Sequence, residues 1–150
     1  MHRRENPILR VAAYAWASPN SLLGAVVGGA VLLCGGRVLL EHGALEFCGG
    51  FLGRALRRLP PGRRFCAITL GHVILGIDAT TLALVRSHER VHVHQYERWG
   101  PLFIPAYVAS SLWQVFKGRP AYLANRFECE AFEKAEGLGA CGNRGVPGVR

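Results

Sequence analysis

Lysine is nearly missing from this chain. Only Lys117 and Lys134 stand among 18 basic side chains, so a formal net charge of +8 rests almost wholly on arginine. A charge of that sign favours anionic partners, and arginine suits phosphate in either a nucleic acid or a lipid headgroup. No recognised nucleic-acid-binding motif and no aromatic stacking platform accompanies it, which argues against nucleic acid. Paired cysteines are missing as well. Cys34, Cys48, Cys66, Cys129 and Cys141 are scattered, odd in number and never spaced C-x-x-C. That speaks against a disulfide framework and a thiolate zinc site, and suits a reducing compartment. There is no internal repeat. A cleavable leader is not recognisable either, because the apolar run begins late, after Pro19-Asn20, and no small-x-small site follows it.

What is present is apolar: 50% of the 150 residues are hydrophobic and the mean hydropathy is positive. The length suits one domain with one modest core. Residues 1–36 are read as an N-terminal membrane-associating segment. From Ser21 to Gly36 nothing is charged, giving about 24 Å of helix, short of a ~30 Å hydrocarbon core. A preceding apolar stretch from Ile8 to Trp16 could make up the difference, so a transmembrane helix and a buried core helix are both open. Gly24-Ala25-Val26-Val27-Gly28 is a G-x-x-x-G match suited to close helix packing in lipid.

The next stretch reads as strands. Residues 37–41 and 44–47 flank His42-Gly43, a two-residue hairpin turn, and residues 66–76 look like a further strand. His72, within that strand, is a sheet residue or lines a cleft. Between them Arg54, Arg57, Arg58, Arg63 and Arg64 crowd around Pro60-Pro61-Gly62, beside Phe51, Leu52, Leu56 and Leu59. A basic amphipathic helix at 50–59 could lie on anionic lipid or be a solvated face. Residues 102–116 form a second apolar helix, of packing or interfacial type, and the Gly-rich tail 137–150 reads as disordered.

Chemistry concentrates in His88-Glu89-Arg90-Val91-His92. On a helix, His-Glu-x-x-His sets two imidazoles one turn apart with a carboxylate beside them, an arrangement that holds zinc. With six histidines in the chain, chance produces it on the order of once in a hundred such sequences. A helix over 79–99 is well punctuated: Asp78 or Thr80 caps its start, and Gly100-Pro101 ends it. Thr81, Leu84, Val85, His88, His92, Gln95 and Trp99 share one face, while Arg86, Arg90 and Glu97 lie opposite and His94 sits off it. The histidines therefore point coreward, as zinc ligands or as ordinary partly buried histidines.

A second helix over 126–136 brings a carboxylate. Glu128 falls among Phe127, Ala131, Phe132 and Ala135, whereas Glu130 and Glu133 project toward solvent. An acid on an apolar face needs a partner or a metal, so Glu128 is the third-ligand candidate and Glu130 the weaker alternative. Asn125-x-x-Glu128 is also a capping box, which stays open as the other use of Glu128. Cys129 points about 100° away from Glu128 and reads as packing.

His88-Glu89-Arg90-Val91-His92 followed by Glu128-Cys129-Glu130-Ala131 resembles the gluzincin branch of zinc metallopeptidases. The stretch from His88 to Glu136, with Gln95-Tyr96-Glu97-Arg98-Trp99-Gly100-Pro101-Leu102-Phe103, also looks like small bacterial proteins of minimal-gluzincin type. The resemblance implies an α+β, minimal zincin-like domain over residues 37–136: a small sheet, a metal helix and a ligand helix. It implies Zn2+ held by His88, His92 and Glu128, with Glu89 as catalytic general base toward a zinc-activated water. Gln95 is a candidate partner for an imidazole N–H. It further implies a peptide or protein substrate lying along residues 66–76. No downstream His or Tyr stands in a recognisable motif that would steady an oxyanion. The expected function is a zinc-dependent peptidase or related hydrolase; the alternatives are a non-catalytic zinc-binding protein and a small membrane protein without metal.

Overall fold

The computed structural model describes residues 7–59 and 66–136, so Pro60-Pro61-Gly62, Arg63, Arg64 and residues 137–150 lie outside the described residues. Helix α1 spans Pro7–Leu33 and runs unbroken through Pro19, where the sequence suggested a break. A proline inside a helix removes the N–H that residue i−4 would accept. Here that carbonyl, of Ala15, is satisfied by the Ser18 hydroxyl at 2.7 Å. Asn20 does not break the helix either, since its buried amide donates to the Gly100 carbonyl at 3.0 Å.

Strands β1 (Gly36–Glu41) and β2 (Ala44–Gly49) form the expected hairpin, with φ of 49° at His42 and 85° at Gly43. Two consecutive positive φ values are what a two-residue turn needs to match the strand twist. Helix α2 (Gly50–Arg57) follows directly. Residues 66–76 are not one strand but a second hairpin, β3 (Ala67–Leu70) and β4 (Val73–Gly76), turning at Gly71-His72. Gly71 has φ 61°, and the turn docks on α1 through the His72 N–H, which donates to Ser21 Oγ at 2.9 Å. The sheet order is β1-β2-β4-β3, with β2 and β4 parallel and the outer pairs antiparallel. Strand β3 is thus an edge.

Helix α3 (Ala79–Trp99) has the predicted bounds and caps. Asp78 accepts the Thr81 N–H at 2.9 Å, and Gly100, at φ 53°, closes the end with its N–H on the Tyr96 carbonyl. A 3-10 turn (Gly100–Leu102) leads into α4 (Phe103–Phe116), and α5 (Arg126–Glu136) follows.

Alternate residues of the strands face opposite layers. Phe47, Val73 and Leu75 pack with Val31 of α1, while Ala44, Cys48 and Ile74 pack with Leu82 and Val93 of α3. The sheet is therefore sandwiched between α1 and α3. A third cluster, Ala17, Tyr96, Phe103 and Phe127, ties α1, α3, α4 and α5 together beyond it. The G-x-x-x-G pair serves this packing rather than helix pairing in lipid. A Cβ on Gly28 would come within 2.7 Å of the Phe47 ring, and one on Gly24 within 2.7 Å of the Val73 Cβ.

Arg86 does not simply face solvent: it reaches from α3 down to the sheet to make two 2.8 Å bonds to Glu46, which is only 1% exposed. A carboxylate so placed requires that partner. Cys129 is disulfide-bonded rather than merely packed, which removes the support the cysteine pattern lent to a reducing compartment. The mixed α+β class stands: five α-helices and four strands among the described residues, with one long apolar helix at the N-terminal end.

Candidate metal centre

One helical turn of α3 carries His88 and His92 onto the same face, where both rings are buried. Their Nε2 atoms lie 3.2 Å apart. The Glu128 carboxylate of α5 completes the group, with Oε2 3.1 Å from His88 Nε2 and Oε1 3.4 Å from His92 Nε2. Glu128 is 3% exposed. A tetrahedral ion with bonds of about 2.0–2.1 Å would hold its ligands about 3.3 Å apart. The two imidazole nitrogens match that value; with one ligand atom taken from each residue, the three lie within 4.8 Å of one another, and the donor set of two imidazoles and a carboxylate suits such an ion. This group can hold a metal ion.

Local sequence explains why Glu128 arrives there. Asn125 does cap α5, with Oδ1 accepting the Phe127 N–H at 2.9 Å, and its amide donates to the Tyr107 carbonyl and Ser111 Oγ. The helix start is so pinned to α4. Glu128 turns its carboxylate to the histidines instead of back to the cap. Glu130, the weaker candidate, stands elsewhere: it accepts from Gln95, Arg98 and Lys134. His94 is exposed and bonds Glu97, and His72 is buried between Ser21 and Glu97, away from the cluster.

Gln95, 1% exposed, fixes the chemistry of His92. Its Nε2 donates to the Phe127 carbonyl and to Glu130, both at 3.0 Å. Its Oε1 is therefore an acceptor, 2.8 Å from His92 Nδ1. This assigns the ring proton to Nδ1 in the neutral imidazole and leaves the Nε2 lone pair aimed into the cluster, as a metal ligand requires. His88 has no such support, for its buried Nδ1 has no hydrogen-bond partner among the described residues.

Electrostatics divide the two carboxylates. Burial works against charge on Glu128, but the adjoining His88, His92 and Tyr107 side chains outweigh it and hold the acid well below the usual carboxylate range. Glu89, 7% exposed, moves the other way: burial raises its pKa, opposed by the Thr69 hydroxyl and the nearby histidines. Thr69 Oγ1 donates to Glu89 Oε2 at 2.7 Å. Glu128 also works on His92, raising its pKa against the effect of burial. One acid is set as a permanent anion and the other as a group that can exchange a proton.

These residues line a cleft of about 380 Å³. Edge strand β3 contributes Ala67 to Leu70; Tyr96, Phe103, Ile104, Tyr107 and Tyr122 contribute the rest of an otherwise apolar lining. Tyr107 donates to Glu128 Oε1 at 2.7 Å. Burial first, then the Glu128 charge, pushes the phenols of Tyr107 and Tyr122 above their ordinary range, so both remain neutral donors. Thr69, Tyr107 and Tyr122 were not singled out from the sequence. Tyr107 left a trace: with Phe103, Ser111 and Gln114 it forms a helical stripe that carries most of the polar groups of α4.

No protein-family model matches this chain, and no curated protein or solved structure matches it.

Proposed function

We propose that the protein is a zinc-dependent peptidase or related hydrolase of the gluzincin type, attached to a membrane. The observation that carries the reading is the convergence of His88, His92 and Glu128 beside the buried acid Glu89 in one apolar cleft. Two imidazoles with one carboxylate, and room for a fourth position, is a donor set suited to catalytic zinc. Zinc, when bound, supplies a coordinated water of near-neutral pKa.

The chain's own groups do the rest. Thr69 occupies Glu89 Oε2 and leaves Oε1 to accept a proton and later return it to a leaving amine. Tyr122, a neutral phenol that lines the cleft and is hydrogen-bonded to Glu128, would turn from that carboxylate to donate to a substrate carbonyl oxygen as charge develops on it. Edge strand β3 offers backbone groups to an extended peptide. Membrane attachment is supported by α1, whose apolar window is only 28% buried.

The metal-free rival has its own support, since His88, His92 and Glu128 partly satisfy one another by hydrogen bonds. Metal analysis separates the readings: protein purified without added metal carries about one zinc per chain. Glu89→Gln keeps fold and metal and lowers peptide hydrolysis by at least about a hundredfold. If neither form cuts any generic peptide while both hold zinc, the protein is a non-catalytic zinc protein.

A further inference from the structure

Helix α1 buries a single stripe: Ala17, Asn20, Gly24, Gly28 and Val31. Opposite that stripe, at 100° per residue, stand Ile8, Val11, Ala15, Leu22, Val26 and Leu33, with no polar side chain among them. They are exposed; Leu22 shows 66% of its surface, Val26 73% and Leu33 92%. A helix facing water would carry charge there. A helix crossing a bilayer alone would meet lipid on every side. Helix α1 does neither, because from Ala17 to Val31, about 21 Å of its length, its inner stripe is seated on the sheet and on the Tyr96–Phe103–Phe127 cluster.

The seating is too close to be given up. Gly24 and Gly28 lie against Val73 and Phe47 with no room for a side chain, so the sheet must travel wherever α1 goes. Were α1 upright in a bilayer, the sheet behind it would sit at hydrocarbon depth, together with the Glu46–Arg86 ion pair. Charged groups are costly there.

We propose that α1 lies in the plane of an anionic membrane surface, its outer face sunk below the headgroups and the sheet held above. The partner is the bilayer itself. The proposal rests on the membrane attachment put forward above and replaces a span with a surface-lying anchor. Charge supports an anionic surface. Helix α2 starts where α1 ends, the Phe51 N–H donating to the Cys34 carbonyl at 2.8 Å. It exposes Phe51 beside Arg54 and Arg58, and Arg57, which pairs with Asp78. An exposed aromatic ring among arginines at one end of an apolar helix is suited to the boundary between acyl chains and acidic headgroups. Arg10 is exposed near the other end.

The test uses the full chain with an N-terminal epitope tag. Flotation with phosphatidylcholine vesicles, with and without phosphatidylglycerol, reads attachment; protease treatment of sealed membranes from expressing cells reads topology. The chain is expected to float with the anionic vesicles, and Arg54→Glu with Arg58→Glu to reduce this severalfold and make it salt-sensitive. Val26→Asp is expected to lower binding by at least about tenfold with an unchanged thermal unfolding curve, since that side chain touches little of the fold. Tag and domain should be degraded together from the same side. A tag protected while the domain is digested means that α1 crosses the bilayer, which overturns the in-plane placement and leaves attachment standing. Failure to float with either vesicle overturns both. A chain that does not float, but whose Val26→Asp variant turns a dimer into a monomer, shows the face covered by a second copy and likewise overturns the proposal.

Discussion

Gln95 offers the sharpest test of the metal centre, because it supplies no candidate ligand atom and yet holds His92 in place. Gln95→Met keeps the volume of a fully buried side chain and deletes its three hydrogen bonds, to Phe127, Glu130 and His92. At about 1 kcal/mol net for each bond, with a buried carbonyl and a ring N–H left unmatched, the metal-free fold should lose about 2–4 kcal/mol. The second effect is independent of the first. With Oε1 gone, nothing holds the His92 proton on Nδ1, and the ring loses both its tautomer and its orientation. Losing such an outer partner lowers metal affinity by about 10–100-fold, or about 1.4–2.7 kcal/mol. Competition against a chromophoric chelator measures zinc affinity, and urea unfolding with chelator present measures the fold. Zinc affinity equal to that of the parent, in a variant that has lost the expected stability, would refute the role assigned to Gln95. Absence of zinc binding in both proteins would remove the centre altogether.

Neighbouring glycines of α1 should respond with opposite signs: Gly28→Ala meets the Phe47 ring and should cost about 1–3 kcal/mol, whereas Gly29→Ala meets nothing within 4 Å and should add about 0.5–1 kcal/mol. Equal shifts in thermal midpoint would mean that α1 does not sit on the sheet. Hydrogen bonds from His72 and His94 hold Glu97 at about 2, and Thr81 with Arg57 holds Asp78 there against its burial. Both folded values lie below the unfolded ones of about 4. Their stabilisation is therefore complete above about pH 4.5 and drains away as pH falls toward 2. Glu97→Gln should flatten the fall in unfolding midpoint across that window, and a variant curve parallel to the parent's would contradict the assignment. Deleting residues 1–35 strips the cover from Phe47, Val73 and Leu75, each worth about 1.5–3 kcal/mol when buried; the fragment should lack a cooperative unfolding transition. A folded, zinc-binding fragment would instead make α1 a detachable tether.

The parts of the fold that were legible are those whose signals are local. Asp78, Gly100 and Pro101 bound α3 because a cap, a positive φ and a missing N–H act within a turn of the helix end. His42-Gly43 marked its hairpin for the same reason. Where local rules failed, a tertiary or side-chain partner had intervened. Pro19 reads as a break until Ser18 is seen supplying the missing donor. Gly71 reads as one glycine inside an apolar strand until Ser21, fifty positions away, receives the turn. Arg86 is outward on a wheel, but its side chain is long enough to reach back to Glu46.

The candidate site divides along the same line. His88 and His92 share a face by arithmetic, and the wheel separates Glu128 from Glu130 because only one of the two lies among apolar neighbours. Tyr122, the donor proposed above, was out of reach, since it belongs to no motif. Tyr122 sits in the irregular link before α5, and what makes it chemically relevant is supplied by others: burial and the Glu128 charge raise its pKa. The structure puts phenols on the link and on α4, between α3 and α5 in the chain, where no motif marks them. Where a short chain builds a cleft from few elements, the segment joining two ligand helices has to run past the ligands, and polar side chains on it are the ones to examine first.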